Sequence, residues 1–194
     1  IGFDPEKCNS IPDPLIYSKK FYDEALKSNP QAYVAVTSLL PCVFTGMTQS
    51  QINQTTLCSQ GGYCQCHWDN AHKHILFKDR LESQLKYWEK MVKNINQTKL
   101  AQQPKAYHIP FSLVMRALID EMEAGKVPGF TSHLDMFKDD VHLNQAGMDL
   151  HAITIVTAMY QQCFESVPIS VSPAAAAMFY QVACDVVANY QNPE

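Results

Sequence analysis

The sequence predicts an α/β protein with a parallel sheet, and three observations lead to this fold class. The chain has 194 residues, of which 46% are hydrophobic and 10% aromatic, which is enough apolar material for the core of one domain. Two short apolar runs, residues 32–39 and 105–109, each lie between stretches with the apolar spacing of helices. Strands that alternate with helices form parallel sheets covered on both faces. No repeat or linker divides the chain, so we expect one domain over residues 1–194.

The first helix and strand are predicted near the N-terminus. Residues 14–29 place their apolar side chains roughly on one face, and Asn29-Pro30 would end this helix. Residues 32–39 are rich in β-branched and apolar side chains and uncharged, as in a strand buried on both sides of a parallel sheet. Pro41 ends the strand.

Residues 42–75 are predicted to form an irregular insert. They hold four of the seven cysteines, the pair Gly61-Gly62 and three of the histidines. A stretch this long without regular structure in a compact domain is usually functional or cross-linked.

The second half begins with a regular helix over residues 76–95, where apolar side chains recur at alternating steps of four and three. Residues 105–109 form the second strand, which Pro110 closes. The helix predicted over residues 111–124 has Gly125 as its C-cap.

Two more helices complete the chain after the loop of residues 126–143. Asn144 can cap the first of them, which runs to about residue 162, and the last covers about 174–190. Only two strands are therefore visible, and a two-stranded sheet is marginal because its edges stay unpaired. We expect strands from elsewhere to complete the sheet.

Charge and hydropathy exclude several classes of partner. The net charge is −4 and the basic residues are scattered, so nothing indicates nucleic-acid binding. No apolar run is long enough to span a membrane, and no motif indicates a cofactor. The chain opens with Ile1-Gly2 rather than with Met, which favours a processed or truncated N-terminus.

Cysteines and glycosylation motifs favour a secreted protein. The seven cysteines are Cys8, Cys42, Cys58, Cys64, Cys66, Cys163 and Cys184. The sequons at Asn53 and Asn96 could accept N-glycans. Together these features favour an oxidising, extracellular location with disulfide bonds. Because seven is odd, one thiol would be either free or paired with another chain.

The motif Asp139-x-x-His142 is the main candidate for catalysis. A general base needs an imidazole held in one tautomer with its far nitrogen facing the nucleophile. An acid three residues earlier on a loop can reach the Nδ1 side of that ring, although the adjacent Asp140 could compete for this role. The alternative is a loop histidine bonded to nearby carboxylates that does no chemistry.

The surroundings of this motif resemble the C-terminal catalytic block of SGNH (GDSL-type) hydrolases. The segments that carry the resemblance are Lys126-Val127-Pro128-Gly129-Phe130, Asp135-Met136-Phe137 and Asp139-Asp140-Val141-His142-Leu143-Asn144 with Gly147, followed by Ser166-Val167-Pro168, Ser172-Pro173 and the last helix. The resemblance covers residues 100–190 well and 14–40 loosely, and residues 42–75 match nothing that we can place.

The resemblance implies a fold and a set of roles. The fold would be a flavodoxin-like three-layer α/β/α sandwich around a five-stranded parallel sheet, of which this chain supplies the last two strands. Asp139 would be the orienting acid and His142 the base, while Gly147 would shape the start of the helix. The nucleophile would be a serine, and a Gly and an Asn would donate to the oxyanion.

The family's blocks for the serine and for the oxyanion donors are absent from this chain. No serine stands in Gly-Asp-Ser or in Gly-x-Ser-x-Gly. We therefore expect a preceding segment of on the order of 100 residues, held as a companion chain or lost, to carry the serine, the glycine and the asparagine.

A second constellation lies in the insert. Cys64, Cys66, His67, His72 and His74 are of the residue types that hold zinc or copper. Their spacing matches no standard finger, and cysteines of a secreted chain are more often disulfide-bonded. We therefore expect no metal site, with His67, His72 and His74 as the weak candidates.

Other residues have weaker signals. His133 lies near the motif loop and could contact substrate, and Trp68 could stack on a sugar ring. Structural roles are expected for His108 and His151, and Trp88 fits the core stripe of its helix.

The sequence favours a secreted serine esterase whose nucleophile lies on another segment. Its substrate would be a small ester or an O-acetylated carbohydrate, as the resemblance implies. The alternative is a catalytically inactive relative that serves as an extracellular structural or binding glycoprotein. A metalloprotein centred on His67, His72 and His74 is a third possibility.

Overall fold

The computed structural model describes residues 14–38, 40–44, 46–54 and 76–193. Its elements, in chain order, are α1 (Pro14–Ser28), β1 (Val34–Thr37), α2 (Gln49–Asn53), α3 (Phe77–Thr98), β2 (Ala106–Ile109), α4 (Phe111–Glu123), a 3-10 turn (His133–Met136), α5 (Gln145–Tyr160) and α6 (Pro173–Asn189). The predicted order of helices and strands is confirmed over these residues.

The two strands pair in parallel. Val34 lies opposite Ala106 and Thr37 opposite Ile109, and within the described residues the sheet has these two strands alone. The predicted α/β class with a parallel sheet is confirmed in this form, in a mostly helical chain. A larger sheet inside three layers is not seen in the described part.

Helices pack on both faces of the sheet. On one face, Val34 and Val36 join a cluster with buried residues of α1 and α3, which are Tyr22, Leu26, Val92 and Ile95. On the other face, Ala35 packs with Ile109 and with residues of α5 and α6, which are Ile155, Ala158 and Val187. The alternation of side chains along each strand divides them between the two clusters.

The main core lies beside the sheet, where α3, α4, α5 and α6 meet. Its largest fully buried members include Leu81, Phe111, Leu118, Leu150 and Phe179. Gly125 adopts a positive φ of 69° directly after the last turn of α4, and the amide of Lys126 donates to the carbonyl of Glu121 at 2.9 Å. This is the C-terminal glycine turn that the sequence predicted.

Helix α1 departs from the predicted burial pattern. Tyr22 and Leu26 are its buried residues, whereas Tyr17 and Phe21 are 51% and 74% exposed. Tyr17 and Phe21 are four residues apart and therefore lie on one helix face. The helix that leads into β1 thus carries an uncovered aromatic face.

Smaller differences concern where elements begin and end. Strand β1 is shorter than residues 32–39, and helix α5 ends at Tyr160 because Gln161 adopts a left-handed backbone with φ 51°. Inside the predicted irregular insert, Thr48 and Gln51 form a capping box that starts the short helix α2.

Disulfide bonding is confirmed. Cys163 and Cys184 are bonded across a Cα–Cα distance of 5.2 Å, which ties the chain after α5 to the middle of α6. Cys42 is disulfide-bonded as well. Over the described ranges, we find no helix with the length and apolar character needed to cross a membrane.

Candidate active site

The Asp139–His142 segment is the tip of a tight loop. Phe137 and Leu143 form an antiparallel bridge at its base, and the amide of Lys138 donates to the carbonyl of His142 at 2.8 Å. These backbone bonds hold the two ends of the loop together, so the short spacing between acid and histidine is fixed by local structure.

Asp139 is bonded to the ring of His142. Its carboxylate accepts from the His142 Nδ1 at 2.8 and 2.9 Å and from the amides of His142 at 2.8 Å and Val141 at 3.0 Å. Partial burial alone would raise the pKa of Asp139, but these backbone donors and the imidazole lower it below the ordinary value. Because a carboxylate only accepts hydrogen bonds, the Nδ1 carries the proton, and the Nε2 of the neutral ring is the basic nitrogen.

Asp140 does not share this role. Its side chain is 3% exposed, and its Oδ1 has no hydrogen-bond partner among the residues that the structure describes. Burial and the neighbouring charge of Asp139 raise the pKa of this carboxyl. The pKa values of the two adjacent acids are therefore shifted in opposite directions, downward for Asp139 and upward for Asp140.

The loop is joined rigidly to helix α5. Asn144 caps the helix by accepting from the amide of Gly147 at 3.1 Å, and its Nδ2 donates to the carbonyl of Asp135 at 2.8 Å. A Cβ on Gly147 would lie 2.4 Å from the Met136 carbonyl oxygen. Glycine is therefore needed where the first turn of α5 meets the loop.

The Nε2 of His142 faces no partner. The His142 side chain is 72% exposed, against 16% for Asp139. In the part of the chain that the structure describes, no hydroxyl or other group is hydrogen-bonded to this nitrogen. An aspartate–histidine pair is thus assembled, and no serine that the structure describes is hydrogen-bonded to it.

His133 lies beneath the loop and has structural contacts. Its ring stacks on Phe77 with centroids 4.5 Å apart, and its Nε2 donates to the carbonyl of Val43 at 3.0 Å. The amide of Val43 in turn donates to the carbonyl of Asp140 at 2.9 Å. His133 and Val43 therefore attach the segment that follows β1 to the His142 loop.

Several predicted site residues lie outside the described residues: Trp68, Cys64, Cys66, His67, His72 and His74. Among the residues that are described, no three histidine, cysteine, aspartate or glutamate side chains are placed to hold a metal. Of the two sequons, Asn53 ends α2 and Asn96 lies in α3.

The carboxamide of Asn96 is engaged by the backbone of β2. Its Oδ1 accepts from the Ala106 amide at 2.8 Å, and its Nδ2 donates to the Ala106 carbonyl at 3.0 Å. The Nδ2 atom, to which an N-glycan would attach, is thus already bonded to the strand. Glycosylation of Asn96 stays a prediction.

A serine–histidine pair lies inside the protein. The Nε2 of His108 is 2.9 Å from the Ser38 Oγ, and both residues are 1% exposed. The Nδ1 of His108 lies 2.6 Å from the Tyr190 hydroxyl, which donates to the Glu89 carboxylate at 3.1 Å. The Ser112 hydroxyl donates to the Ser38 Oγ at 3.2 Å.

The Glu89 carboxylate determines which group donates in each hydrogen bond of this buried network. Because Glu89 only accepts, the Tyr190 hydroxyl donates to it, and the Nδ1–H of His108 donates to the Tyr190 oxygen. The Nε2 is then the acceptor for the Ser38 hydroxyl. Each polar group has a partner with His108 neutral, as burial in a folded interior requires.

Because His108 is buried in this network, the stability of the protein depends on pH. Burial lowers the pKa of His108 to about 4 from 6.5. Below pH 6.5 this histidine therefore becomes protonated in the unfolded chain, whereas in the folded protein it stays neutral until about pH 4. The free energy of unfolding should therefore fall by up to about 3 kcal/mol between pH 6.5 and 4. Urea unfolding measured across this interval tests the expectation.

His108→Asn is the matched variant for this measurement. It removes the titrating ring, so its stability should vary less with pH over the same interval, although its stability at pH 7 is lower. An equal pH slope for both proteins would show that His108 is not the group responsible.

Comparisons with known proteins add no relative. No protein-family model matches the chain, no curated protein matches it, and no solved structure matches it.

Proposed function

We propose that this chain supplies the acid–base half of a secreted serine esterase of the SGNH type. The observation that carries the proposal is the geometry at His142. Asp139 fixes the Nδ1–H through a bond of 2.8 Å, and the basic Nε2 is exposed without a described partner. A ring held in this way is suited to take a proton from a hydroxyl that approaches from outside.

The reaction would proceed in two steps. A serine hydroxyl attacks the carbonyl carbon of the ester while His142 Nε2 takes its proton, and His142 then returns that proton to the departing alkoxide. In the second step, His142 takes a proton from the water that attacks the acyl-serine, and it then gives that proton to the serine oxygen as the acid is released. Asp139 stabilises the imidazolium in both steps without becoming protonated.

The serine and the oxyanion donors would come from a companion segment that also completes the sheet. Two observations support this. All four residues of β1 are only partly buried, whereas strands inside a parallel sheet are buried on both faces. The aromatic face of α1 at Tyr17 and Phe21 is uncovered as well. The complete domain would then be the three-layer sandwich.

The compartment and the substrate class belong to the same proposal. The disulfide-bonded cysteines at positions 42, 163 and 184 suit an oxidising, extracellular location. An acetyl ester on a carbohydrate is the substrate that we favour, with small aryl acetates as convenient probes.

Hydrolysis of p-nitrophenyl acetate by the protein purified from its natural source tests the proposal. We expect turnover that a fluorophosphonate abolishes, because such reagents trap a serine that a histidine activates. Protein that retains the Asp139–His142 contact but neither turns over the ester nor reacts with the reagent would instead be the binding glycoprotein.

A further inference from the structure

The two outer edges of the sheet differ. Asparagine side chains and the chain end cover the edge of β2 that faces away from β1. The Asn96 Oδ1 accepts from the Ala106 amide at 2.8 Å, and the Asn192 Oδ1 accepts from the His108 amide at 2.6 Å. The Asn96 Nδ2 also donates to the Ala106 carbonyl at 3.0 Å. No backbone amide of that edge is left for another strand.

Among the residues that the structure describes, none covers the outer edge of β1 in this way. The Ser38 amide donates to the Ile109 carbonyl at 3.3 Å, and Thr37 lies opposite Ile109. In a parallel pair with this register, Val34 and Val36 also direct their backbone groups toward β2. The amides and carbonyls of Ala35 and Thr37 therefore point away from β2, and none is hydrogen-bonded to a residue that the structure describes.

The side chains of the two strands also differ in how deeply they are buried. In β2, Ala106, His108 and Ile109 are at most 4% exposed, although β2 has one strand neighbour only. In β1 every residue is partly exposed, and Tyr33 just before it is 46% exposed. Within the described ranges, the strand that lacks a neighbour is therefore β1, whereas the outer edge of β2 is already covered.

We propose that the outer edge of β1 is where the companion polypeptide docks, by adding a parallel strand. Its backbone would bond the amides and carbonyls of Ala35 and Thr37, and the rest of the companion would cover Tyr17 and Phe21. This inference rests on the proposed function, since it identifies the attachment site of the segment that brings the serine.

A strand is the occupant that this edge specifies. Outward amides and carbonyls on Ala35 and Thr37 match the backbone of another strand, which can bond both residues at once. The parallel direction continues that of β1 and β2, in a sheet that has helices on both faces as parallel sheets do. A second copy of this chain related by a two-fold axis would instead place β1 antiparallel to its mate.

Hydrogen exchange at single-amide resolution tests the docking edge. It compares the protein purified from its natural source, without reduction, with the 194-residue chain expressed alone. In the natural protein we expect the Ala35 and Thr37 amides to exchange at least about 100-fold more slowly than in the chain alone. The Ala106 and His108 amides report on the fold itself in both samples.

Fast exchange of Ala35 and Thr37 in the natural protein, with Ala106 and His108 protected, would overturn the docking proposal. Native mass spectrometry that finds only copies of this chain on a protected edge would overturn it too. Protected β1 amides together with a foreign polypeptide would support it even if a fluorophosphonate did not react, in which case the esterase proposal alone would fail.

Ala35→Pro, placed in the coding sequence of the natural protein, gives a second measurement. Proline removes an outward amide that β2 does not use, so the companion should be lost on purification while Ala106 and His108 stay protected. Ala35→Ser keeps the amide and should retain the companion. Retention of the companion by a folded Ala35→Pro protein would contradict the proposed edge.

Discussion

His142→Ala should abolish ester hydrolysis and leave the protein folded. Loss of a catalytic histidine removes the general base, and we expect kcat to fall by about 10⁴-fold to 10⁶-fold. The fold should survive because the His142 side chain is 72% exposed and its Nδ1 contact with Asp139 lies at the surface, where such contacts are worth about 1 kcal/mol or less. Initial rates on p-nitrophenyl acetate and a thermal unfolding curve measure both effects.

Lys138→Ala is the control for this experiment. Lys138 is an exposed neighbour in the same loop, so its replacement disturbs the surface charge and leaves the imidazole in place. It should keep activity within a few-fold of the unmodified protein. Esterase activity that persists in His142→Ala would show that another group acts as the base.

Asp139→Asn and Asp140→Asn should have opposite outcomes, although the two residues are adjacent. An asparagine at 139 can still accept from the Val141 and His142 amides, but its NH₂ group would donate to Nδ1 and force the proton onto Nε2. The ring then has no basic nitrogen toward the nucleophile, and kcat should fall by about 10⁴-fold.

The Asp140→Asn variant should be nearly silent. Burial raises the pKa of this carboxyl, so the interior disfavours its charged form, and a carboxamide of the same shape carries no charge. Activity should stay within a few-fold, and the free energy of unfolding should stay the same or rise by about 1 kcal/mol, since a buried amide costs less than a buried charge. A larger loss of kcat in Asp140→Asn than in Asp139→Asn would reverse the roles of the two acids.

Local sequence patterns were sufficient to place most elements of the fold. The apolar stripe of α3, the glycine after α4 and the asparagine before α5 act over a few residues, and each is seen where the pattern indicated it. Burial on α1 was not predictable in this way. The sequence pattern placed its apolar residues roughly on one face, whereas the structure buries Tyr22 against α3 and leaves Phe21 exposed, and that choice depends on where α3 packs.

The same distinction applies to the site. Asp139 and His142 are three residues apart, so the contact between them follows from the loop alone. Ser38, Tyr190 and Glu89 are brought to His108 from distant parts of the sequence. Ser38 and His108 are 70 positions apart, and Glu89 and Tyr190 are 101 positions apart. The spacing of residues in the sequence does not reveal such a hydrogen-bond network, although the position of His108 near the end of a predicted strand was one indication.

The role of the two asparagines that cover the edge of β2, Asn96 and Asn192, could not be predicted for another reason. Asn96 carries a sequon, which suggests a surface acceptor for a glycan, whereas the structure uses its carboxamide to cover a strand edge. The function of an amide side chain depends on which backbone group it faces, and the sequence does not encode that directly.

If the proposed function is right, His142 acts on a serine hydroxyl that lies outside residues 1–194. Peptide mapping of the fluorophosphonate adduct in the active natural protein locates that serine. We expect an adduct on a serine of the companion polypeptide, and no adduct in the His142→Ala protein. An adduct on a serine within the 194 residues, such as Ser38 beside His108, would contradict it.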